Sequence, residues 1–242
     1  MNLSLDLALL LGFLLGLKHA TEVDHLVAVT AIVSEQRSIL RSGLVGALWG
    51  VGHTTSLLVV GIFVIVLEVT IPLRLANALE FAVAVMIIFL GTRVLYLTLR
   101  GQRRMHRHRH QHEGYAHTHL HFHDDEHAHS TLSTKGAHQH ARLAGWRPLV
   151  VGMVHGLAGS AVLTFLVLTE LVKRGSRVLG FAYLLFFGLG SIGGMLLMSA
   201  LISLPIVLAS RRFERVEVPM RVIVGGASIA FGFYYAWTIG VR

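Results

Sequence analysis

The chain has 242 residues, of which 54% are hydrophobic and 14% charged, and its formal net charge is +8. A soluble domain carries about a quarter charged residues, so this composition excludes an ordinary soluble domain and indicates a membrane protein. Most basic residues stand in short segments beside apolar runs, where they orient a membrane protein, so the charge does not indicate nucleic acid binding. The absence of cysteine excludes disulfides, iron–sulfur clusters and thiolate metal sites, and leaves imidazole, carboxylate, thioether and backbone ligands.

Six apolar segments are long enough to cross a bilayer, which requires about 20 mostly apolar residues. They cover about residues 4–33, 43–67, 76–99, 148–172, 178–207 and 218–240. The first is apolar at both ends and polar in the middle, so it is expected to tilt or break. No signal-peptide pattern accompanies it, and we expect it to be retained. The sequence predicts an all-α, polytopic membrane protein with six transmembrane helices.

The two halves of the chain resemble each other. GLKHATEVDHLVAV from Gly16 resembles GMVHGLAGSAVLTF from Gly152, and WGVGHTTSLLVV from Trp49 resembles FGLGSIGGMLLM from Phe187. The matches pair His19 with His155 and His53 with Ser191. A third match, of IIFLGTRVLYL from Ile87 with SIAFGFYYAW from Ser228, pairs Gly91 with Gly232. Three spans per half is an odd number, which predicts two inverted repeats with a substrate site between them at the midplane. The predicted parts are 1–100 (first three-helix repeat), 101–147 (a loop) and 148–242 (second repeat).

The most specific string in the chain lies in the first span and reads His19-Ala-Thr-Glu22-Val-Asp24-His25. Ionisable groups at membrane depth are costly and by default mark a function. On a regular helix His19, Glu22 and His25 share one broad face and Asp24 points elsewhere, so the four converge only if the helix unwinds locally. The string predicts a site for a divalent metal such as Ni(II) or Co(II), in which Asp24 is a ligand or orients a histidine. The alternative is a set of buried polar groups that hydrogen-bond between helices.

Two further histidines lie inside apolar segments. His53 follows Gly52 and precedes two threonines, so backbones can approach closely there and hydroxyls can bond across helices. His155 lies in a stretch rich in glycine, alanine and serine, and it is the repeat partner of His19. Both are candidate ligands of the same metal.

The remaining histidines crowd the polar loop of residues 101–147, which has too little apolar material to fold and is predicted to be disordered. They are His106, His108, His110, His112, His117, His119, His121, His123, His127, His129, His138 and His140. Histidine-rich tracts bind metal by composition, so we expect this loop to buffer, hand over or sense metal, and to release it below about pH 6.5. The alternative is a solvated linker.

Basic residues outside the spans divide fourteen to five between the two sides of the predicted bundle. The richer side includes the histidine-rich loop, which the positive-inside rule therefore places in the cytoplasm, with both termini outside. The assignment depends on that loop.

The His-x4-Asp-His spacing of His19, Asp24 and His25 resembles the signature of the nickel/cobalt transporter superfamily (NiCoT, or NicO). Gly52-His53-Thr54-Thr55 resembles the Gly-His-Ser/Thr-Thr motif of that family. The resemblance implies a polytopic permease for Ni(II) or Co(II) with His19, Asp24, His25 and His53 in the permeation site. The chain has six predicted spans rather than the eight of the best-known importers, and its fourth span lacks their acidic motif. It is closer to the short, urease-accessory-like branch.

We therefore expect a cell-membrane permease of bacterial or archaeal type that takes up Ni(II) or Co(II) as its transported substrate. No Gly-x4-Gly-Lys-Ser/Thr phosphate loop occurs, so we expect no ATP hydrolysis, no enzymatic activity and no tightly bound cofactor. The expected partners are metal ions and the lipid bilayer, with cytoplasmic metallochaperones as further candidates and no nucleic acid.

Three other functions fit parts of the pattern. An exporter that gives metal tolerance would use the same ligands. A zinc permease can carry a histidine-rich loop after its third span, but the motifs of later spans in such permeases do not occur here. A membrane metallochaperone for urease or hydrogenase maturation would depend on the loop instead of the spans.

Overall fold

The computed structural model describes residues 3–36, 38–67, 72–103, 105–112, 115–122, 145–157, 177–212 and 216–241. Its helices are α1 (Leu3–His19), α2 (Val23–Val33), α3 (Ile39–Leu67), α4 (Leu73–Arg103), α5 (Arg147–Leu157), α6 (Arg177–Arg212) and α7 (Glu217–Gly240). Two strands, β1 (Met105–His112) and β2 (Tyr115–Phe122), lie between α4 and α5.

Four of these helices are long and apolar enough to cross a bilayer. The crossing segments are Ile39–Phe63, Leu73–Arg100, Arg177–Ala209 and Glu217–Gly240. The side chains on their outward faces are largely leucine, isoleucine, valine and phenylalanine, and many are more than half exposed, as lipid contact requires. The chain is therefore a membrane protein.

The helices agree with the predicted spans where both are described. α3, α4, α6 and α7 cover the predicted spans 43–67, 76–99, 178–207 and 218–240. The predicted first span, 4–33, is two helices, α1 and α2, separated by three residues. α5 covers the beginning of the predicted span 148–172, and residues 158–172 lie outside the described part. The division into 1–100, 101–147 and 148–242 stays a prediction.

The bundle is held by close approaches between α1 and α6, α3 and α6, α3 and α5, and α4 and α7. Four glycines allow two of these approaches, α1 with α6 and α3 with α5, because a Cβ at each would overlap a backbone carbonyl oxygen of the neighbouring helix. The contacts are Gly16 with Phe187, Gly152 with Trp49, Gly52 with Leu149, and Gly190 with Phe13. In the repeat alignment, the contact of Gly16 corresponds to that of Gly152. The contact of Gly52 likewise corresponds to that of Gly190.

The interior combines a small apolar core with a polar centre. Ala28, Val29, Trp49 and Ile87 are among the buried apolar side chains that fill the space between α2, α3 and α4. Beside them are buried histidines and an aspartate. The interior is therefore polar at this point, whereas the lipid-facing surface is apolar. The polar interior is where the predicted site falls.

The histidine-rich loop differs from the sequence-based expectation. β1 and β2 pair in antiparallel fashion, with His106 opposite His121, His108 opposite His119, and His110 opposite His117. The prediction of disorder is therefore wrong for these two segments. It was based on the lack of apolar residues, whereas histidine recurs at every second position, which is the period of a strand. The other residues of the loop between 104 and 144 lie outside the described part of the chain.

Candidate metal centre

The centre is built where the first predicted span breaks. α1 ends at His19 and α2 begins at Val23, and tight turns occupy the residues between them. The backbone N–H groups of Thr21 and Glu22 donate to the carbonyl oxygens of Lys18 (2.8 Å) and His19 (3.0 Å). The Thr21 hydroxyl also donates to Lys18 O (2.6 Å). Glu22 is extended, with φ −65° and ψ 149°, and the next helix begins at Val23.

The break brings together residues that a continuous helix would separate. His19 and His25 lie with their ring centroids 4.5 Å apart, although one ends α1 and the other lies in the first turn and a half of α2. His19 Nε2 is 3.1 Å from His53 Nε2 of α3. The rings of His25 and His155 are 4.2 Å apart. The local unwinding that the sequence required for convergence therefore occurs.

Asp24 joins two of these histidines. Its Oδ1 lies 3.1 Å from His25 Nδ1, and its Oδ2 lies 2.9 Å from His155 Nε2. An ionised carboxylate only accepts hydrogen bonds, so each of these ring nitrogens donates its proton to it. The other nitrogen of each ring then carries a lone pair. Asp24 thus sets the tautomer of two imidazoles at once.

The nitrogens left over are buried and directed into the interior. His25 Nε2, His155 Nδ1 and His53 Nδ1 have no hydrogen-bond partner among the described residues. His25, His53 and His155 are each fully buried. Burying a polar atom without a partner costs about 1–3 kcal/mol, so three such atoms in one place require an explanation beyond packing.

The ligand atoms form two overlapping sets in the part of the chain that the structure describes. One set is His19, His25 and His53, and the other is Asp24, His25 and His155. Within each set the candidate ligand atoms lie within 4.8 Å of one another. His25 belongs to both sets, so the two sets are neighbouring candidate metal sites that share the His25 imidazole. Imidazole and carboxylate ligands suit Ni(II), Co(II), Zn(II) and Cu(II).

Glu22 is the one predicted residue of this string that does not join either set. Its Oε2 lies 3.2 Å from His19 Nδ1, and its side chain is 40% exposed. The pairing leaves His19 Nε2 free to face His53, so Glu22 orients a ring from outside the cluster.

Two aromatic residues that the sequence did not single out close the centre. Trp49 is buried, with its ring 5.4 Å from that of His25 and 5.3 Å from that of His155. Phe187 is buried on α6, with its ring 5.4 Å from that of His19. Each stands one helical turn before the position that aligns as His53 or Ser191. That spacing was a signal the sequence analysis could have used, because residues four apart share a helix face.

Hydroxyl groups next to His53 tie α3 to its neighbours. Thr54 Oγ1 donates to Gly188 O on α6 (3.2 Å), and Ser56 Oγ donates to Met153 O on α5 (2.8 Å). These interhelical bonds hold the helix that carries His53 against α5 and α6 of the second half. The sequence analysis anticipated bonds of this kind beside His53, but it did not predict the one from Ser56.

The loop histidines lie apart from this centre in the chain. His106, His108, His110 and His112 are in β1, and His117, His119 and His121 are in β2. His123, His127, His129, His138 and His140 lie outside the described residues. Metal buffering by this loop stays a prediction.

One comparison with characterised proteins bears on the family. The chain is 35% identical over 236 residues to urease accessory protein UreH of Bacillus sp. (strain TB-90), covering 96% of this chain and 92% of that protein. No protein-family model and no solved structure matches the chain. A likeness of this extent, together with the motifs around His19 and His53, means that the chain belongs to the UreH family, the short urease-accessory-like branch of the nickel/cobalt transporter superfamily.

Proposed function

We propose that this protein is a membrane permease that takes up a divalent transition metal, Ni(II) or Co(II), and supplies it to urease maturation. The observation that carries the proposal is the cluster of four buried histidines around one buried aspartate, inside a bundle whose outer surface is apolar. The name of the relative, a urease accessory protein, favours nickel as the metal.

The geometry supports a stepwise passage of the ion. A hydrated cation exchanges water for imidazole nitrogens at one set of ligands, and the Asp24 carboxylate offsets part of its charge. Because His25 belongs to both sets, the ion passes between His19–His53 and Asp24–His155 without losing that ligand. Each set alone offers three ligands, which is few enough to let the ion leave.

The same proposal includes six spans arranged as two inverted repeats. The corresponding glycine contacts on α1 with α6 and on α5 with α3 support it, because a two-fold relation between the halves would produce such pairs. Rocking of one half against the other would then open the centre to each side in turn. We place the basic loops, with the histidine-rich segment, in the cytoplasm of a bacterial or archaeal cell, and we assign no enzymatic step to the chain.

The direct test is Ni(II) flux into liposomes containing the purified protein, driven by a metal gradient. We expect saturable flux of Ni(II) or Co(II) in the wild type and its loss in His19→Ala at equal protein content. Absence of flux in the wild type would refute the permease. In cells, increased sensitivity to nickel on expression would indicate uptake, and increased tolerance would indicate export.

A membrane metallochaperone would behave differently in the same assays. Deletion of residues 106–140 should abolish a chaperone role and leave liposome flux within about twofold of the wild type, since the spans remain intact. Loss of flux on this deletion would assign the transport site to the loop and contradict the centre in the spans.

A further inference from the structure

A cavity of about 540 Å³ opens at the end of the bundle where α2 ends and α5 begins. Its wall comes from the last turn of α2, the middle of α4 and the first turns of α3 and α5. Glu35 and Arg93 lie on this wall, with Gln36 and Arg147 beside them. It faces the side of the bundle with the larger number of basic residues.

The inner end of the cavity reaches within one helical turn of the metal centre. Val45 on α3 and Val151 on α5 line it. Four residues further along the same helices are Trp49 and His155, and residues four apart on a helix are direct neighbours, about 6 Å between Cβ atoms. The wall of the cavity is therefore adjacent to the centre.

Along α3, Trp49 follows the cavity wall and precedes His53. The Trp49 ring contacts His25 and His155 on one side, and Val45, one turn nearer the surface, belongs to the cavity wall. Trp49 Nε1 is buried without a hydrogen-bond partner among the described residues.

Glu35 and Arg93 form an ion pair on the cavity wall, with Arg93 Nη1 2.7 Å from Glu35 Oε1. Neither is fully buried, since 25% of Glu35 and 36% of Arg93 are exposed. A carboxylate is a ligand for hydrated divalent cations, and a cation that arrives there competes with the guanidinium for the same oxygens. The counter-ion keeps this binding weak, as a site on a conduction path must be.

We propose that this cavity is the vestibule of the metal pathway and that Glu35 is its cation-binding carboxylate, which exchanges Arg93 for the passing metal ion. The inference rests on the proposed permease function and adds a second binding site to it. The alternative is that the ion pair only fixes the end of α2 against α4.

A cation-binding carboxylate and a purely structural ion pair predict different changes in KM when Glu35 or Arg93 is substituted. Inside-out membrane vesicles present the basic side to the medium, and flux of Ni(II) down a gradient from that side gives KM and maximal rate. Vesicles with Asp24→Asn supply the background. If Glu35 receives the ion, Glu35→Gln raises KM about tenfold, and Glu35→Asp keeps KM near the wild-type value. Arg93→Gln lowers both KM and the maximal rate, because a carboxylate without its counter-ion holds the metal ion longer.

Magnesium gives a second readout. Carboxylates bind Mg²⁺ and buried imidazoles do not, so millimolar Mg²⁺ should inhibit wild-type flux through the vestibule. This inhibition should be lost in Glu35→Gln and strengthened in Arg93→Gln.

Opposite shifts in KM, together with Glu35-dependent Mg²⁺ inhibition, support the vestibule. Equal losses of flux in Glu35→Gln and Arg93→Gln with KM unchanged, matched by equal falls in thermal stability, would overturn it in favour of the structural ion pair. Wild-type flux no higher than the Asp24→Asn background would refute the permease itself, which is a separate outcome.

Discussion

The two halves of the molecule share their helix contacts but not their chemistry. Gly16 and Gly152 make corresponding approaches to a neighbouring helix, and an aromatic residue stands at the equivalent position in each half, Trp49 and Phe187. The ligands are unequally divided, because the first half contributes His19, Asp24, His25 and His53, and the described second half contributes His155. Where the first half has His53, the second has Ser191.

This difference separates two demands on the sequence. Helix packing needs small residues at a few fixed positions, and both halves meet that demand. Metal binding needs nitrogen and oxygen donors around one point, which a single half can largely supply if one helix breaks beside it. Substitutions at corresponding positions should therefore be equivalent for packing and unequal for transport.

The largest effect is expected at Asp24, which lies where the halves meet. Asp24→Asn removes the charge, and its amide group presents a donor to a ring nitrogen that also donates, so at most one of the two histidines keeps its orientation. Loss of an orienting carboxylate typically costs about 10–100-fold, and loss of the charge adds to this, so liposome flux should fall by more than about 100-fold.

Glu22→Gln is the matched control for Asp24. Among the described residues its carboxylate pairs with His19, and its side chain is 40% exposed, so flux should fall by less than about tenfold. Equal losses in the two variants, at equal protein content, would show that the two carboxylates have the same role and contradict the division made here.

The second prediction compares His53 with its counterpart. His53→Ser makes the first half resemble the second, removes one ligand of three from its set, and should lower flux about 10–100-fold. Ser191→Ala removes a buried hydroxyl that belongs to neither set of ligands, and flux should stay within about twofold. A loss in Ser191→Ala as large as that in His53→Ser would mean that Ser191 is a ligand as well, beside His155 of the same half.

The smallest difference is expected for packing. Gly16→Ala and Gly152→Ala each place a methyl group against a carbonyl oxygen of the next helix, and overpacking of this kind costs about 1–3 kcal/mol. Both variants should unfold at lower temperature than the wild type, by similar amounts, in a thermal melt of the detergent-solubilised protein.

Gly193→Ala is the control, because a Cβ there meets no described atom within 4 Å, and its melting temperature should not fall. Clearly different losses in Gly16→Ala and Gly152→Ala would argue against a two-fold relation between the halves.

Much of this architecture could be predicted because membrane spans leave a strong signal in sequence. Apolar runs located every helix end to within a few residues where both are described, and the polar string in the first span located the break. The break itself followed from geometry, since Asp24 cannot share a face with His19 and His25 on one continuous helix.

Two features escaped prediction for identifiable reasons. Trp49 is one of many apolar side chains in its span, and only the fold shows which of them contacts a histidine. The pairing of β1 with β2 was missed because low hydrophobicity outweighed the alternation of histidines at every second position.

The break between α1 and α2 also has an electrostatic consequence. A helix carries about half an elementary charge of each sign at its two ends, negative at its C-terminus and positive at its N-terminus. Because α1 ends at His19 and α2 begins at Val23, the negative end of one half-helix and the positive end of the other meet in the middle of the bundle. The first favours a cation beside His19, and the second favours an anionic Asp24 one residue inside α2. A continuous span would place both partial charges at the membrane surfaces, where water and salt would screen them.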